Sequence, residues 1–245
     1  MNNLLIDIGN SEIKIGKGIL NKLNSVLIKS FPYSKQNFKK DFSKNFKFKP
    51  QFLFEKIGVS ILKGGDKKFL SAYFVKEFKL RPVFIDEQMK LPIKINYKKG
   101  LGSDRICSAV AAYTLFKRNN ILIIDFGTAT TFTLVINGVL EGGLIVPGIV
   151  TSLNSLIEKT SLRRPLLKYP KKLICNNTLE NINAGVLFQS LFSVERIIHE
   201  VEKMHKNIFV VATGGNSYLI RKKTKLINEF DSNLVLKGIN ILIQQ

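Results

Sequence analysis

The sequence has no tryptophan, two cysteines, seven prolines and few acids, with 18 Asp and Glu in 245 residues against 38 Lys and Arg. Cys107 and Cys175 alone build no disulfide framework. They form no C-x-x-C pair and no metal-ligand spacing with His199 or His205, so both are read as reduced thiols. No stretch reaches the ~18 consecutive apolar residues of a membrane span. The short apolar start Leu4–Ile8 encloses Asp7 and has no basic residue before it, unlike a signal peptide. A cytoplasmic chain with no membrane partner is therefore expected. With 45% hydrophobic and 23% charged residues the composition is globular rather than disordered or fibrous, and the length permits one large domain or two of ~100–150 residues.

The shortage of acids leaves a net charge of +20, a balance that suits a polyanionic partner. The excess is diffuse, +13 over residues 1–100 and +7 over 101–245, and only seven of the cations are arginine. That pattern fits a lysine-rich composition or attraction of anionic ligands better than a dedicated surface for a specific nucleic acid. Residues 34–50 interleave lysine with Phe38, Phe42, Phe46 and Phe48, mostly at helical intervals. They are expected to form an amphipathic helix with one face on the core, the sharper alternative being exposed rings that stack on bases.

Leu4–Ile8, followed by Gly9, Asn10 and the alternating Ile13-Lys14-Ile15, reads as a β-hairpin. Ile121–Thr128 repeats the device, and Thr131–Ile136 with the Asn137-Gly138 turn supplies the next strands. This weak repeat predicts two related domains, 1–118 and 119–245. Helices are expected over 67–79, 103–116 with Ser103 as cap, 151–159, 178–205 and 217–225, and strands over 83–85 and 208–212. Residues 234–243 fit either. In the helix over 178–205 the apolar set Ile182, Val186, Leu187, Leu191, Val194 and Ile198 suits its own core or a symmetry mate.

The chemistry concentrates in turns. Asp7-Ile8-Gly9-Asn10-Ser11-Glu12-Ile13-Lys14 places a carboxylate at a strand end, then glycine, an amide, a hydroxyl and a cation. Such a turn can offer backbone N–H groups and a lysine to phosphate oxygens while the carboxylate holds a hydrated metal ion. Asp125-Phe126-Gly127-Thr128-Ala129-Thr130-Thr131 is a second copy with three hydroxyls, and Thr213-Gly214-Gly215 follows an apolar strand. Two such turns from two domains suit a polyphosphate. The P-loop, the dinucleotide fingerprint, the serine-hydrolase elbow and the H-E-x-x-H zinc motif are all missing.

These motifs, with Gly102-Ser103-Asp104-Arg105, Tyr97 before it, Gly142-Gly143, Pro147-Gly148 and Asn177-Thr178-Leu179-Glu180, follow one another in an order that resembles the type III pantothenate kinases. That family belongs to the acetate and sugar kinase, heat-shock chaperone and actin superfamily. The resemblance implies an α/β fold of two related ribonuclease H-like domains with a nucleotide cleft between them. It implies ATP-dependent phosphorylation of pantothenate to 4′-phosphopantothenate, the first step of coenzyme A biosynthesis, with Mg2+ or a similar divalent cation. By the same resemblance Asp104 is the general base, and Tyr97, Gly102, Ser103, Asp104, Arg105 and Thr178 bind substrate. ATP falls to Asp7, Ile8, Gly9, Asn10, Ser11, Glu12, Ile13, Lys14, Thr128, Gly214 and Gly215. Asp125 holds K+ or NH4+, and Thr178 closes the site of the neighbouring subunit in a homodimer. Thr133 stands where the family commonly has another acid, and the spacing from Tyr97 to Gly102 is short. A nucleic-acid-binding or transcriptional accessory protein of the same fold is the alternative, and an actin-like filament protein a third. Neither needs a carboxylate at Asp104.

Overall fold

The computed structural model describes residues 2–19, 22–23, 25–47, 53–62 and 66–245. In chain order the elements are β1 (Asn2–Ile8), β2 (Glu12–Ile19), β3 (Ser25–Pro32), α1 (Phe38–Asn45), β4 (Phe54–Ile61), α2 (Lys67–Phe78), β5 (Pro82–Phe84), β6 (Lys94–Ile95) and α3 (Ser103–Phe116). Then come β7 (Asn120–Phe126), β8 (Ala129–Ile136), β9 (Val139–Pro147), α4 (Ile149–Glu158), α5 (Thr178–Met204), β10 (Phe209–Thr213), α6 (Tyr218–Arg221), β11 (Glu229–Phe230) and α7 (Leu234–Leu242). They form two compact units. One takes residues 1–117, 138–141 and 233–245, and the other 118–137 and 142–232.

The first unit carries a five-stranded sheet in the order β3-β2-β1-β4-β5; the other sheet has six strands in the order β6-β9-β8-β7-β10-β11, and its run β9-β8-β7-β10-β11 repeats the first. In each, the opening strand runs antiparallel to its hairpin partner and parallel to the fourth strand, which runs parallel to the fifth. The two sheets are one topology used twice. The sequence repeat is faint because the shared requirement is topological, and only the turns share chemistry. Residues 138–141 belong to the first unit, where Lys94 and Ile95 pair in parallel with Val139 and Leu140.

Central strands β1 and β7 are apolar without alternation because both of their faces are covered. In the first unit Leu4, Ile6, Ile13, Ile57 and Val59 pack beside an aromatic cluster in which Phe42 stacks on Phe46 at 4.8 Å and both meet Phe74 edge-on. That cluster answers the question posed by residues 34–50. The helix is amphipathic but limited to 38–45, and Phe42 and Phe46 are core, so neither of these two rings is offered for stacking. Phe48 and Pro50 lie outside the described residues.

Helix ends follow their local chemistry. Asp66 Oδ1 accepts from Phe69 N at 2.8 Å and opens α2; Asn177 Oδ1 accepts from Glu180 N at 3.0 Å and opens α5. At α3 the cap position is Gly102, and Ser103 turns elsewhere. The stretch 217–225 yields only the four-residue α6. The apolar set on α5 fills its own core, with Leu187 and Ile198 fully buried. Leu179 and Phe192 stay exposed on the same helix. Residues 234–243 resolve into a helix that rejoins the first unit. Among the described residues no helix is long and apolar enough to cross a membrane.

Candidate active site

In the first unit Asp7, the second-last residue of β1, is only 8% exposed, with Lys14 opposite it on β2 and Ser60 opposite it on β4. The turn beyond is closed by Gly9 N donating to the Glu12 carbonyl at 3.0 Å. Tyr33 holds the other side. Its hydroxyl donates to the Gly9 carbonyl at 2.6 Å and its amide to the Ser11 carbonyl at 3.2 Å. Burial, then the charge of Asp7, pushes the Tyr33 hydroxyl above its ordinary range, so it stays protonated and able to donate. Lys35 Nζ reaches Asn10 Oδ1 at 3.2 Å. The side chains of Ile8 and Ile13 face the core and leave only backbone to a ligand, whereas Asn10 and Ser11 are exposed.

Helix α3 begins beside the same strand ends. Ser103 Oγ lies 3.0 Å from Ser60 Oγ, accepts from Ile61 N at 3.0 Å and donates to the Ile61 carbonyl at 3.0 Å. This stitch fixes the helix start to β4, one strand from Asp7. It also explains why Ser103 does not cap the helix: its hydroxyl is spent on β4. Asp104, half-buried in the first turn, folds back so that Oδ1 accepts from Arg105 N at 2.8 Å. A carboxylate there is favoured by the helix dipole. Arg105 is 6% exposed, lies over the Tyr97 ring at 5.3 Å and points Nη1 at its hydroxyl at 3.4 Å. The short spacing therefore still brings Tyr97 to the Gly-Ser-Asp-Arg motif. Cys107, one turn on, is fully buried, and burial followed by the charges of Asp7 and Asp104 pushes its thiol well up. Both carboxylates thus act on one interior point, and the thiol stays neutral.

In the second unit Asp125 is the second-last residue of β7, opposite Thr131 on β8 and Thr213 on β10. The turn that follows is clasped from two directions. Gly148 N and Thr151 Oγ1 donate to the Thr128 carbonyl at 3.1 and 2.5 Å, and Asn216 donates through N to the Phe126 carbonyl at 3.0 Å and through Nδ2 to the Gly127 carbonyl at 3.4 Å. Gly214 has φ +92°, and a Cβ there would fall 2.3 Å from Asp125 Oδ1 and 2.6 Å from Phe126 N. Gly215 next to it opens onto empty space. Thr128 is exposed; Thr130 Oγ1 is buried with no hydrogen-bond partner among the described residues, and Thr133 is buried in β8. Thr178 is the exposed first residue of α5 and lines a groove of about 440 Å3 with Ser152, Leu156, Leu162 and Gly185.

Structure thus joins Asp7, Lys14, Tyr97 and the 102–105 motif in one unit and Asp125, Thr128, Gly214 and Gly215 in the other. Sequence reasoning missed Tyr33, Ser60 and Thr151. Ser60 carried a signal, a polar residue at the end of an apolar strand like Asp7 on β1; Tyr33 and Thr151 carried none. Among the described residues no three His, Cys, Asp or Glu cluster as a metal cage.

The repeated sheet places the chain in a known fold. A Campylobacter jejuni protein described as a member of the Baf family of transcriptional activators superposes with TM-score 0.63 at 20% identity, covering 98% of this chain and 97% of that one. An inorganic polyphosphate/ATP-glucomannokinase from Arthrobacter superposes with TM-score 0.51 at 12% identity, over 98% and 97%. These likenesses concern fold alone. They define the class: a two-domain α/β protein of the actin-like ATPase and sugar kinase fold. Residues 3–200 match the model of the type III pantothenate kinase family. The type III pantothenate kinase of Fusobacterium nucleatum is 36% identical over 174 residues, 68% of this chain and 67% of that one. The chain belongs to the type III pantothenate kinase family.

Proposed function

We propose that this protein transfers the γ-phosphoryl group of ATP to the primary hydroxyl of pantothenate, giving 4′-phosphopantothenate and ADP in the first step of coenzyme A biosynthesis. Family membership supports the reaction, and the single structural observation that carries it is Asp104. This carboxylate stands at the head of a helix pinned to the strand beside Asp7. Its Oδ1 is engaged by Arg105 N, so Oδ2 takes the proton as the pantothenate oxygen bonds to phosphorus and the bond from phosphorus to the leaving ADP oxygen breaks. Arg105, propped on Tyr97, suits the anionic acceptor. The 7–14 turn with Lys14 receives phosphates, and Gly214-Gly215 lie on the adenosine side. A divalent ion brought in with ATP would be held by the Asp7 carboxylate and would supply neutralisation of the phosphate charge. Reduced thiols and ATP dependence fit action in the cytoplasm. A coupled assay should show ADP formation that depends on pantothenate and matches it mole for mole; ADP release indifferent to pantothenate would overturn the reading.

Asp125 offers a carboxylate beside the phosphate-binding turn, where K+ or NH4+ would offset negative charge left over by the divalent metal. Turnover should rise when K+ or NH4+ replaces Na+, and Asp125→Ala should lose that response. A second readout is thermal stability with ATP present, which should also discriminate K+ from Na+ in wild-type protein alone. Equal rates and equal melting in both salts would refute the site.

The exposed Thr178, Leu179 and Phe192 on α5 support a homodimer in which Thr178 reaches the Asp104 site of the partner subunit. Asp104→Asn and Thr178→Arg proteins, each strongly impaired alone, should then complement when mixed. One site of each mixed dimer holds both lesions and the other neither, so activity should recover to at most roughly half the wild-type rate per mixed dimer. No recovery despite demonstrated subunit exchange, or a fully active monomer by light scattering, would rule the shared site out.

A further inference from the structure

Helix α7 is anchored to the first sheet with little freedom. Asn240, fully buried, accepts from Asn3 Nδ2 at 3.0 Å and donates to the Lys22 carbonyl at 2.8 Å, while Lys56 Nζ donates to the Ile243 carbonyl at 2.6 Å. At Gly16 and Gly58 a Cβ would fall 2.8 Å from Leu236 Cδ1 and 2.5 Å from Ile239 Cγ2, so α7 lies close on β2 and β4. Another face of the helix meets α3. At Gly238 a Cβ would fall 2.0 Å from the Cys107 carbonyl oxygen and 2.4 Å from its carbon, both backbone atoms of the helix that carries Asp104. Helix α3 is therefore held at two levels, by Ser103 on β4 at its first residue and by the backbone contact with Gly238 one turn later.

We propose that α7 is a positioning element for phosphoryl transfer, with Gly238 setting the seat of α3 and hence the place of Asp104 relative to Asp7. The inference rests on Asp104 being the base. A side chain at 238 meets backbone rather than a yielding side-chain tip, so one helix must move. Misplacing a reacting group by about 1 Å costs on the order of 10²-fold in rate.

The test is a double-mutant cycle with steady-state kinetics. Gly238→Ala should lower kcat by roughly 10–100-fold and leave KM for ATP within about 2-fold, because the proposed ATP turns lie on other elements. In an Asp104→Asn background the same change should alter the residual rate by less than about 2-fold, since a base already removed cannot be displaced. Phe74→Leu in the aromatic cluster, which loosens the same unit away from α7, should lower the melting temperature with kcat near wild type. If Gly238→Ala does not fold, Asn240→Ala enters the same cycle, with a kcat loss expected only where Asp104 is present. A folded Gly238→Ala with wild-type kcat, or an equal loss in both backgrounds, overturns the positioning role. Wild-type turnover of Asp104→Asn by itself overturns instead the base assignment beneath it.

Discussion

Asp104→Asn should reduce turnover by ~10²–10⁴-fold while leaving the fold and ATP affinity in place. The substitution keeps the side chain's size and an oxygen to accept from Arg105 N, so the first turn of α3 retains its geometry. What it removes is the capacity to take the hydroxyl proton of pantothenate as the new bond to phosphorus forms. Loss of a proton acceptor used only in the transition state lowers kcat and kcat/KM together. The measurement is a pantothenate-dependent ADP assay, with ATP binding followed separately by calorimetry. Turnover within a few-fold of wild type would remove Asp104 from the role and leave the motif as a helix start favoured by the dipole.

Gly214→Ala should be nearly as damaging for a different reason. Its φ of +92° is strained for any L side chain, and the added carbon would lie 2.3 Å from Asp125 Oδ1 and 2.6 Å from Phe126 N. Strain of this kind costs of order 1–3 kcal/mol, and here the relief of the clash requires β10 to part from β7 where Thr213 faces Asp125. The expected result is a lower melting temperature and a loss of ~10²-fold in kcat/KM for ATP, since the proposed phosphate-side groups lie on the displaced turn. Gly215→Ala, whose Cβ meets nothing within 4 Å, should keep wild-type stability, so that any change it causes is a direct effect on nucleotide binding. Equal stability of the two variants would show that the approach of Gly214 to Asp125 is not needed.

Part of this arrangement was legible in the sequence. An acid at the end of an apolar run followed by glycine and hydroxyls marks a strand end and its turn, because only short polar residues and glycine satisfy the exposed backbone there. The same holds for Gly102 to Arg105, where an acid in the first turn of a helix is locally favoured. The aromatic residues between 34 and 50 were ambiguous for a physical reason. Periodicity shows that Phe38, Phe42 and Phe46 share a face but not what covers it, and a ring suits a core as well as a base. The apolar set of α5 left the same ambiguity, resolved when Leu187 and Ile198 proved to be buried inside their own unit. Ser103 was misread as a cap because its bonds go to Ser60 and Ile61, more than forty positions earlier.

By itself, then, the sequence determined the chemistry available: two Asp-Gly turns, a helix headed by Gly-Ser-Asp-Arg, a pair of glycines after an apolar strand, and the family to which that series belongs. Those features are short-range, each needing only neighbouring residues to adopt one backbone geometry. Tertiary structure alone decided that both sheets share a strand order, that Ser60 ties α3 to the strand beside Asp7, that Tyr33 clamps the first turn, and that residues 234–242 return to the first unit to seat Gly238 on Cys107. Apolar burial is non-directional, so many pairings of faces satisfy one pattern. Which of them forms depends on contacts made across the whole chain at once.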